Sequence, residues 1–188
     1  MFKWLYKIGQ QYRNPSISKW YVFLKNSEKW TKKELNIYQF KKLKELLEVA
    51  YHQSEYYKKL FDTNNLKPQD IKSLKDISKI PILEKEDLLN FNKEIHTKKK
   101  FKKRFKAITS GSTGKSLSFF REESADSFNR ASIMRGYSWY NVNPWDKNGY
   151  FWGFNFSKKD KIKTTIQDYL QNRFRIFNYK KETFNKFV

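Results

Sequence analysis

The sequence has no cysteine, and it has only two histidines, His52 and His96, among its 188 residues. The lack of cysteine excludes a disulfide scaffold, a cysteine nucleophile and thiolate metal ligands. The two histidines are far apart and have no acidic partner at a metal-ligand spacing, so we interpret them as structural or solvated. No apolar run approaches the roughly 20 residues needed to cross a bilayer. The first residues are interrupted by lysines and make a poor signal peptide, so we expect a cytoplasmic protein without a transmembrane segment.

Acidic residues are scarce, because 19 Asp and Glu face 40 Lys and Arg and leave a formal net charge of +21. This surplus keeps a second function class open, a non-catalytic basic module that binds nucleic acid or an anionic membrane. The lysines are spread along the whole chain, and their densest run, residues 98–104, is interpreted as a solvated loop. No aromatic–basic consensus of an RNA-binding strand is apparent, so nucleic acid is the less favoured partner.

One short segment concentrates residue types that bind phosphate. It consists of Thr109, Ser110, Gly111, Ser112, Thr113, Gly114 and Lys115. Glycines let the backbone approach a ligand, consecutive N–H groups form a nest for anions, and hydroxyls and a lysine add donors and charge. The segment is not a Walker A loop, because Thr109 stands where that motif requires its first glycine. The pattern therefore predicts a polyphosphate-binding loop, with an ordinary flexible turn as the alternative.

The residues around this segment predict a hairpin followed by a helix. Residues 105–108 and 117–120 suit two strands, and a polar helical pattern runs from Glu122 to Tyr140. Arg121 follows the hairpin and is a candidate for reaching a phosphate, and Trp139, Trp145 and Trp152 are candidates for lining a substrate pocket.

This arrangement resembles the adenylate-forming ligases, whose loop [ST]-[SG]-G-[ST]-T-G-x-P binds the phosphates of ATP. The match is close over Thr109–Gly114, while Ser116 stands where the family has proline. Residues 46–61 and 70–88 are similar to the subgroup of phenylacetate–coenzyme A ligase. Residues 135–139 and 150–153 look most like its capsular polysaccharide branch.

The resemblance implies an α/β fold, with a mostly helical segment over residues 1–100 and the start of the large ATP-binding domain over 101–188. It implies that Thr109–Lys115 bind ATP with Mg²⁺, that a small carboxylate is activated as an acyl-adenylate, and that coenzyme A is a candidate acceptor. The family's adenine motif, ribose motif and mobile C-terminal domain are not visible in the sequence. We therefore expect an incomplete N-terminal fragment that needs a missing C-terminal part or a partner chain and is inactive alone. No catalytic residue is assigned.

Elsewhere, Thr31 and Glu34 form a capping-box pattern that predicts the start of a long helix. We expect residues 1–30 to be irregular and residues 149–154 to form a strand of a buried parallel sheet. A final helical face is predicted from Ile162 to Phe174.

Overall fold

The structure of the protein, a computed structural model, describes residues 2–109, 116–150 and 157–176. The chain forms two compact units. One comprises residues 25–126 and is called the central unit below; the other combines residues 1–24 with 127–188 and is called the split unit. The domain boundary expected near residue 100 stays a prediction.

The first two helices are α1 (Phe2–Arg13) and α2 (Ile17–Ser27). The expectation that residues 1–30 are irregular is therefore wrong. Asn14 and Pro15 separate the helices, because the ring of Pro15 and its missing N–H interrupt a helix. Apolar side chains of α2 are buried, and Phe2 and Tyr6 of α1 contact the rings of Tyr169 and Trp145. Such contacts with distant residues outweigh a weak local signal. The small core of the split unit contains Ile17, Leu24 and Ala131.

The central unit begins with α3 (Lys32–Gln53) and α4 (Glu55–Thr63). The predicted capping box is confirmed, since the Glu34 N–H donates to Thr31 Oγ1 at 3.2 Å and the Thr31 N–H donates to Glu34 Oε2 at 2.7 Å. The next helix starts at once, with Ser54 Oγ accepting from the Tyr57 N–H at 3.3 Å. Two capped helices thus meet at a sharp corner and pack against each other.

That corner encloses the core of the central unit. The buried members of this core are Leu47, Tyr51, Phe61, Leu66 and Ile71. The chain then makes two 3₁₀ turns, Pro68–Asp70 and Leu74–Lys79, before α5 (Lys85–Asn90) and α6 (Asn92–Ile95).

The predicted strands are β1 (Arg104–Ile108) and β2 (Ser118–Glu122). They pair antiparallel, with Arg104 opposite Glu122 and Ile108 opposite Ser118. Helix α7 (Glu123–Ser138) follows β2 without an intervening loop, close to the predicted start. The order strand, strand, helix is confirmed.

The split unit contains a second, parallel strand pair, β3 (Asn148–Tyr150) with β4 (Arg173–Arg175), connected through α8 (Lys158–Leu170). A strand–helix–strand crossover of this kind is typical of α/β folds. The parallel strand predicted at 149–154 is present as far as Tyr150, and residues 151–156 lie outside the described residues. Placing Phe174 on the final helix was wrong. The chain turns at Asn172, whose φ is 55°, a left-handed conformation that asparagine tolerates, and then enters β4.

Candidate phosphate-binding site

The base of the predicted phosphate-binding loop is closed by two reciprocal hydrogen bonds. The Thr109 N–H donates to the Leu117 carbonyl at 2.9 Å, and the Leu117 N–H donates to Thr109 Oγ1 at 2.9 Å. These bonds extend the β1–β2 ladder by one step. Ser110, Gly111, Ser112, Thr113, Gly114 and Lys115 lie outside the described residues. The arrangement of these six residues stays a prediction, whereas the structure describes Thr109.

Closure at this point fixes the two ends of the predicted loop. Thr109 and Leu117 are held at the separation of paired strands. The Thr109 hydroxyl accepts from Leu117 and has its own proton to donate. The described geometry is compatible with a phosphate at this end of the hairpin.

The hairpin has one half-buried face and one exposed face. Phe105, Ala107, Phe119 and Arg121 point to the half-buried side. The exposed side carries Arg104, Lys106, Ile108, Phe120 and Glu122. The guanidinium of Arg104 lies 4.6 Å from the centre of the Phe120 ring, within cation–π range. The exposed face therefore presents positive charge on an aromatic surface.

Arg121 is held away from Thr109 at the base of the predicted loop. It lies near the far end of β2, and its Nη2 is 3.1 Å from Oδ1 of Asp126, a buried carboxylate. The pair joins the strand to the first turn of α7, where helix dipoles also favour an acidic residue. We interpret Arg121 as a structural residue at the strand–helix junction.

The basic run over residues 98–104 is attached to the central unit at its first residue. The Lys98 N–H donates to the Gln53 carbonyl at 2.7 Å, and Lys98 Nζ is 2.5 Å from Oε1 of Glu55. The hydrogen bond from Lys98 lowers the pKa of the Glu55 carboxyl. The run therefore leads from the α3–α4 corner into β1, as expected of a solvated connection. A contact of this kind has no sequence signal, because it joins residues distant in the chain.

The two histidines and the described candidate tryptophans each make local contacts within their own unit. His52 Nε2 lies 3.3 Å from Oε2 of Glu48 on the same helix, and His96 Nδ1 contacts the Asn92 carbonyl. Trp139 is exposed, with Arg135 over its ring at 5.5 Å, and Trp145 lies beside Lys3 and Lys7. Trp152 lies outside the described residues.

Among residues 2–109, 116–150 and 157–176, no group of three or more His, Asp or Glu side chains is placed to hold a metal ion. Over the same residues, no helix combines the length and apolar character that a bilayer crossing requires.

Comparison with known proteins gives one informative result. No protein-family model matches the chain. A phenylacetate-coenzyme A ligase of Aromatoleum evansii is 39% identical over 61 residues, which are 32% of this chain and 14% of that ligase. The matched stretch is thus a small part of the ligase. This local similarity supports a relationship between the chain and the adenylate-forming ligase superfamily.

Proposed function

We propose that this chain binds the phosphates of ATP at Thr109–Lys115 as part of an adenylate-forming ligase. The observation that carries the proposal is the antiparallel hairpin closed at its base by the two Thr109–Leu117 hydrogen bonds. A glycine- and hydroxyl-rich connection at that position has the donors that a polyphosphate needs. The local similarity to phenylacetate-coenzyme A ligase supports the same assignment.

The proposed reaction is attack of a substrate carboxylate on the α-phosphate of ATP, with pyrophosphate leaving and an acyl-adenylate forming. Negative charge builds on the departing pyrophosphate. In the proposal, N–H groups and hydroxyls of the loop stabilise this charge without reorganising, and loss of one such donor typically costs about 3–4 kcal/mol. Lys115 adds a positive point charge.

Magnesium would neutralise phosphate charge in this site. Mg²⁺ commonly keeps several waters and binds through one or two carboxylates together with substrate phosphates. The described residues contain no dedicated acidic cluster. They fit an ion that enters on ATP and is held mainly by the nucleotide.

The finer assignments belong to this proposal. The substrate is a small carboxylate, coenzyme A is the candidate acceptor, and the pathway is that of cell-surface or capsular polysaccharides. Residues 1–100 form the helical lead into an ATP-binding part over 101–188. A further polypeptide segment, in the same protein or in a partner chain, completes the nucleotide site. The 188-residue chain alone then binds ATP but catalyses no ATP–pyrophosphate exchange.

Calorimetric titration of the chain with Mg–ATP tests the binding. We expect the double variant Thr113→Val with Lys115→Ala to weaken binding at least about tenfold, which corresponds to 1.4 kcal/mol. Lys100→Ala is the matched control, because it removes one charge from the nearby basic run. Equal affinities in the wild type, the double variant and the control would contradict the proposal. An ATP–pyrophosphate exchange assay on the same samples tests the expected lack of catalysis by the chain alone. Exchange by the wild type that the double variant abolishes would contradict that expectation.

A second candidate function is binding to an anionic membrane, and one observation favours it. Helix α1 exposes Trp4, Ile8 and Tyr12, four residues apart, with 72%, 66% and 85% of each side chain accessible. Lys3 and Lys7 lie on the same helix. An exposed aromatic stripe beside lysines is typical of helices that lie in a membrane interface.

Sedimentation with lipid vesicles separates this candidate from the first. Vesicles of phosphatidylglycerol should retain the chain and those of phosphatidylcholine should not. Trp4→Ala with Ile8→Ala should release it, while Ile82→Ala, which alters an equally exposed residue of the central unit, should not. Retention that is unchanged in the α1 variant would exclude α1 as the membrane contact.

A further inference from the structure

A cleft of 260 Å³ in the split unit is lined by three arginines. Arg13 comes from the end of α1, Arg130 from the middle of α7, and Arg173 from the start of β4. The other lining residues in the described part of the split unit are polar or apolar, and no carboxylate is among them. We call this feature the arginine cleft. It lies in the split unit, whereas the hairpin lies in the central unit.

Three guanidinium groups concentrate positive charge around one cleft. Asp168, which is buried in the same unit, is held by Arg175 through two hydrogen bonds of 2.7 and 3.1 Å. Helix C-termini attract cations, which gives a structural reason for Arg13.

The cleft is held in place by hydrogen bonds. Arg13 Nη1 donates to Asn14 Oδ1 at 2.8 Å, and Asn14 Nδ2 donates to Ser127 Oγ at 3.1 Å. Asn14 and Ser127 are buried. This chain of contacts fixes the direction of the Arg13 side chain, and a preorganised guanidinium loses less entropy on binding.

Two more groups in the cleft are suited to an anion. Arg173 stacks on Tyr150 at 4.9 Å, and its buried Nε makes no hydrogen bond within the described residues. Burial raises the pKa of the Tyr6 phenol, and the nearby Arg173 and Arg130 lower it. Tyr6 thus lies in the field of two guanidiniums and offers a hydroxyl donor.

We propose that the arginine cleft binds the phosphate group of a small molecule. A phosphate carries about two negative charges near neutral pH, and a carboxylate carries one. Three arginines compensate the charge of a phosphate better than that of a carboxylate. Guanidinium forks match the oxygens of phosphate through paired hydrogen bonds. Leu5 and Leu170 on the rim contact the less polar remainder of the ligand.

Titration with inorganic phosphate, followed by ³¹P NMR, tests the proposal, with acetate at equal ionic strength as the competing anion. Arg130→Gln should weaken phosphate binding at least about tenfold. Lys163→Gln removes the same charge from an exposed position of α8 and should change the affinity for phosphate by less than about twofold. Phosphate should bind more tightly than acetate.

A steric pair of variants gives an independent test. Gly9 lines the cleft, and a Cβ added there meets no other atom within 4 Å. Gly9→Leu should therefore fill the cleft and abolish phosphate binding. Gly136→Leu makes the same change in similarly open space on α7 and should retain binding.

The loop variant Lys115→Ala separates this site from the proposed ATP site. It should leave phosphate binding at the cleft unchanged. Equal losses in Arg130→Gln and Lys163→Gln would show that the whole basic surface attracts phosphate and would overturn the proposal. Retained binding in Gly9→Leu, or acetate that binds as tightly as phosphate, would also overturn it.

Discussion

The central unit and the split unit draw their buried side chains from different parts of the chain. In the central unit, the buried apolar cluster comes from one stretch, residues 47–71. In the split unit, Ile17 and Leu24 pack with Ala131, and Asn14 donates to Ser127, which is 113 residues away in the sequence.

This difference indicates that the two units reach stability by different routes. Apolar burial contributes about 25 cal/mol per Å², and burying a polar group costs free energy unless it is hydrogen-bonded. Contacts within one stretch close short loops, whereas contacts between distant segments close long loops at a larger entropy cost. Hydrogen-bonded buried groups fix side-chain positions where such distant segments meet. The arginine cleft combines segments of this second kind. The following variants test this comparison.

Phe61→Ala should have the largest effect, because Phe61 is almost fully buried in the central unit. Removing a buried aromatic ring typically costs about 3–5 kcal/mol of unfolding free energy. Urea denaturation followed by circular dichroism measures the loss. Ile82→Ala is the control, since Ile82 is 85% exposed and should change stability by less than about 0.5 kcal/mol. A loss for Phe61→Ala near that of the control would mean that the central core contributes little.

A double-mutant cycle at Asn14 and Ser127 examines the split unit. Asn14→Leu removes the 3.1 Å hydrogen bond to Ser127 Oγ and the acceptor of Arg13, at an expected cost of about 1–3 kcal/mol. If the contact is specific, Asn14→Leu should cost less when Ser127 is already alanine. Urea denaturation of the four proteins gives the coupling. Additive losses would show that the two side chains do not depend on each other.

The parts of the fold that the sequence predicts well have local causes. The capping box at Thr31 and the strands around Thr109 depend on neighbours within a few residues. Helices α1 and α2 were missed, because lysines and aromatics obscure their apolar faces. Core packing stabilises α2, and ring contacts with Tyr169 and Trp145 stabilise α1. The end of α8 was misplaced, because the left-handed turn at Asn172 interrupts an apolar pattern that continues to Phe174.

The two candidate sites differ in the same way. The segment Thr109–Lys115 is contiguous, so its residue types alone predict phosphate chemistry. The arginine cleft combines residues from the start, middle and end of the chain. No spacing rule connects Arg13, Arg130 and Arg173, so the cleft becomes visible only when the split unit is folded.

Thr31→Ala should have a moderate effect on the central unit. It removes the hydroxyl that accepts from the Glu34 N–H, and loss of such a cap typically costs about 1 kcal/mol. Urea denaturation measures the change. Glu34→Gln is the matched variant, because glutamine also completes a capping box and should retain most of the stability. If Thr31→Ala is neutral, the packing of α3 alone sets its start.

The smallest expected effect is a change in the acid sensitivity of the central unit. Lys79 and Ser73 donate to the Asp76 carboxylate and lower its pKa to about 2. Because the folded pKa lies below the unfolded value of about 3.9, this contribution is present above pH 4 and is lost as the pH falls towards 2. The urea midpoint of Asp76→Asn should therefore fall less between about pH 5 and pH 2.5 than that of the wild type. Glu55 and Asp62 also have lowered pKa values, so the variant should retain part of the dependence. Equal falls in both proteins would show that Asp76 does not contribute.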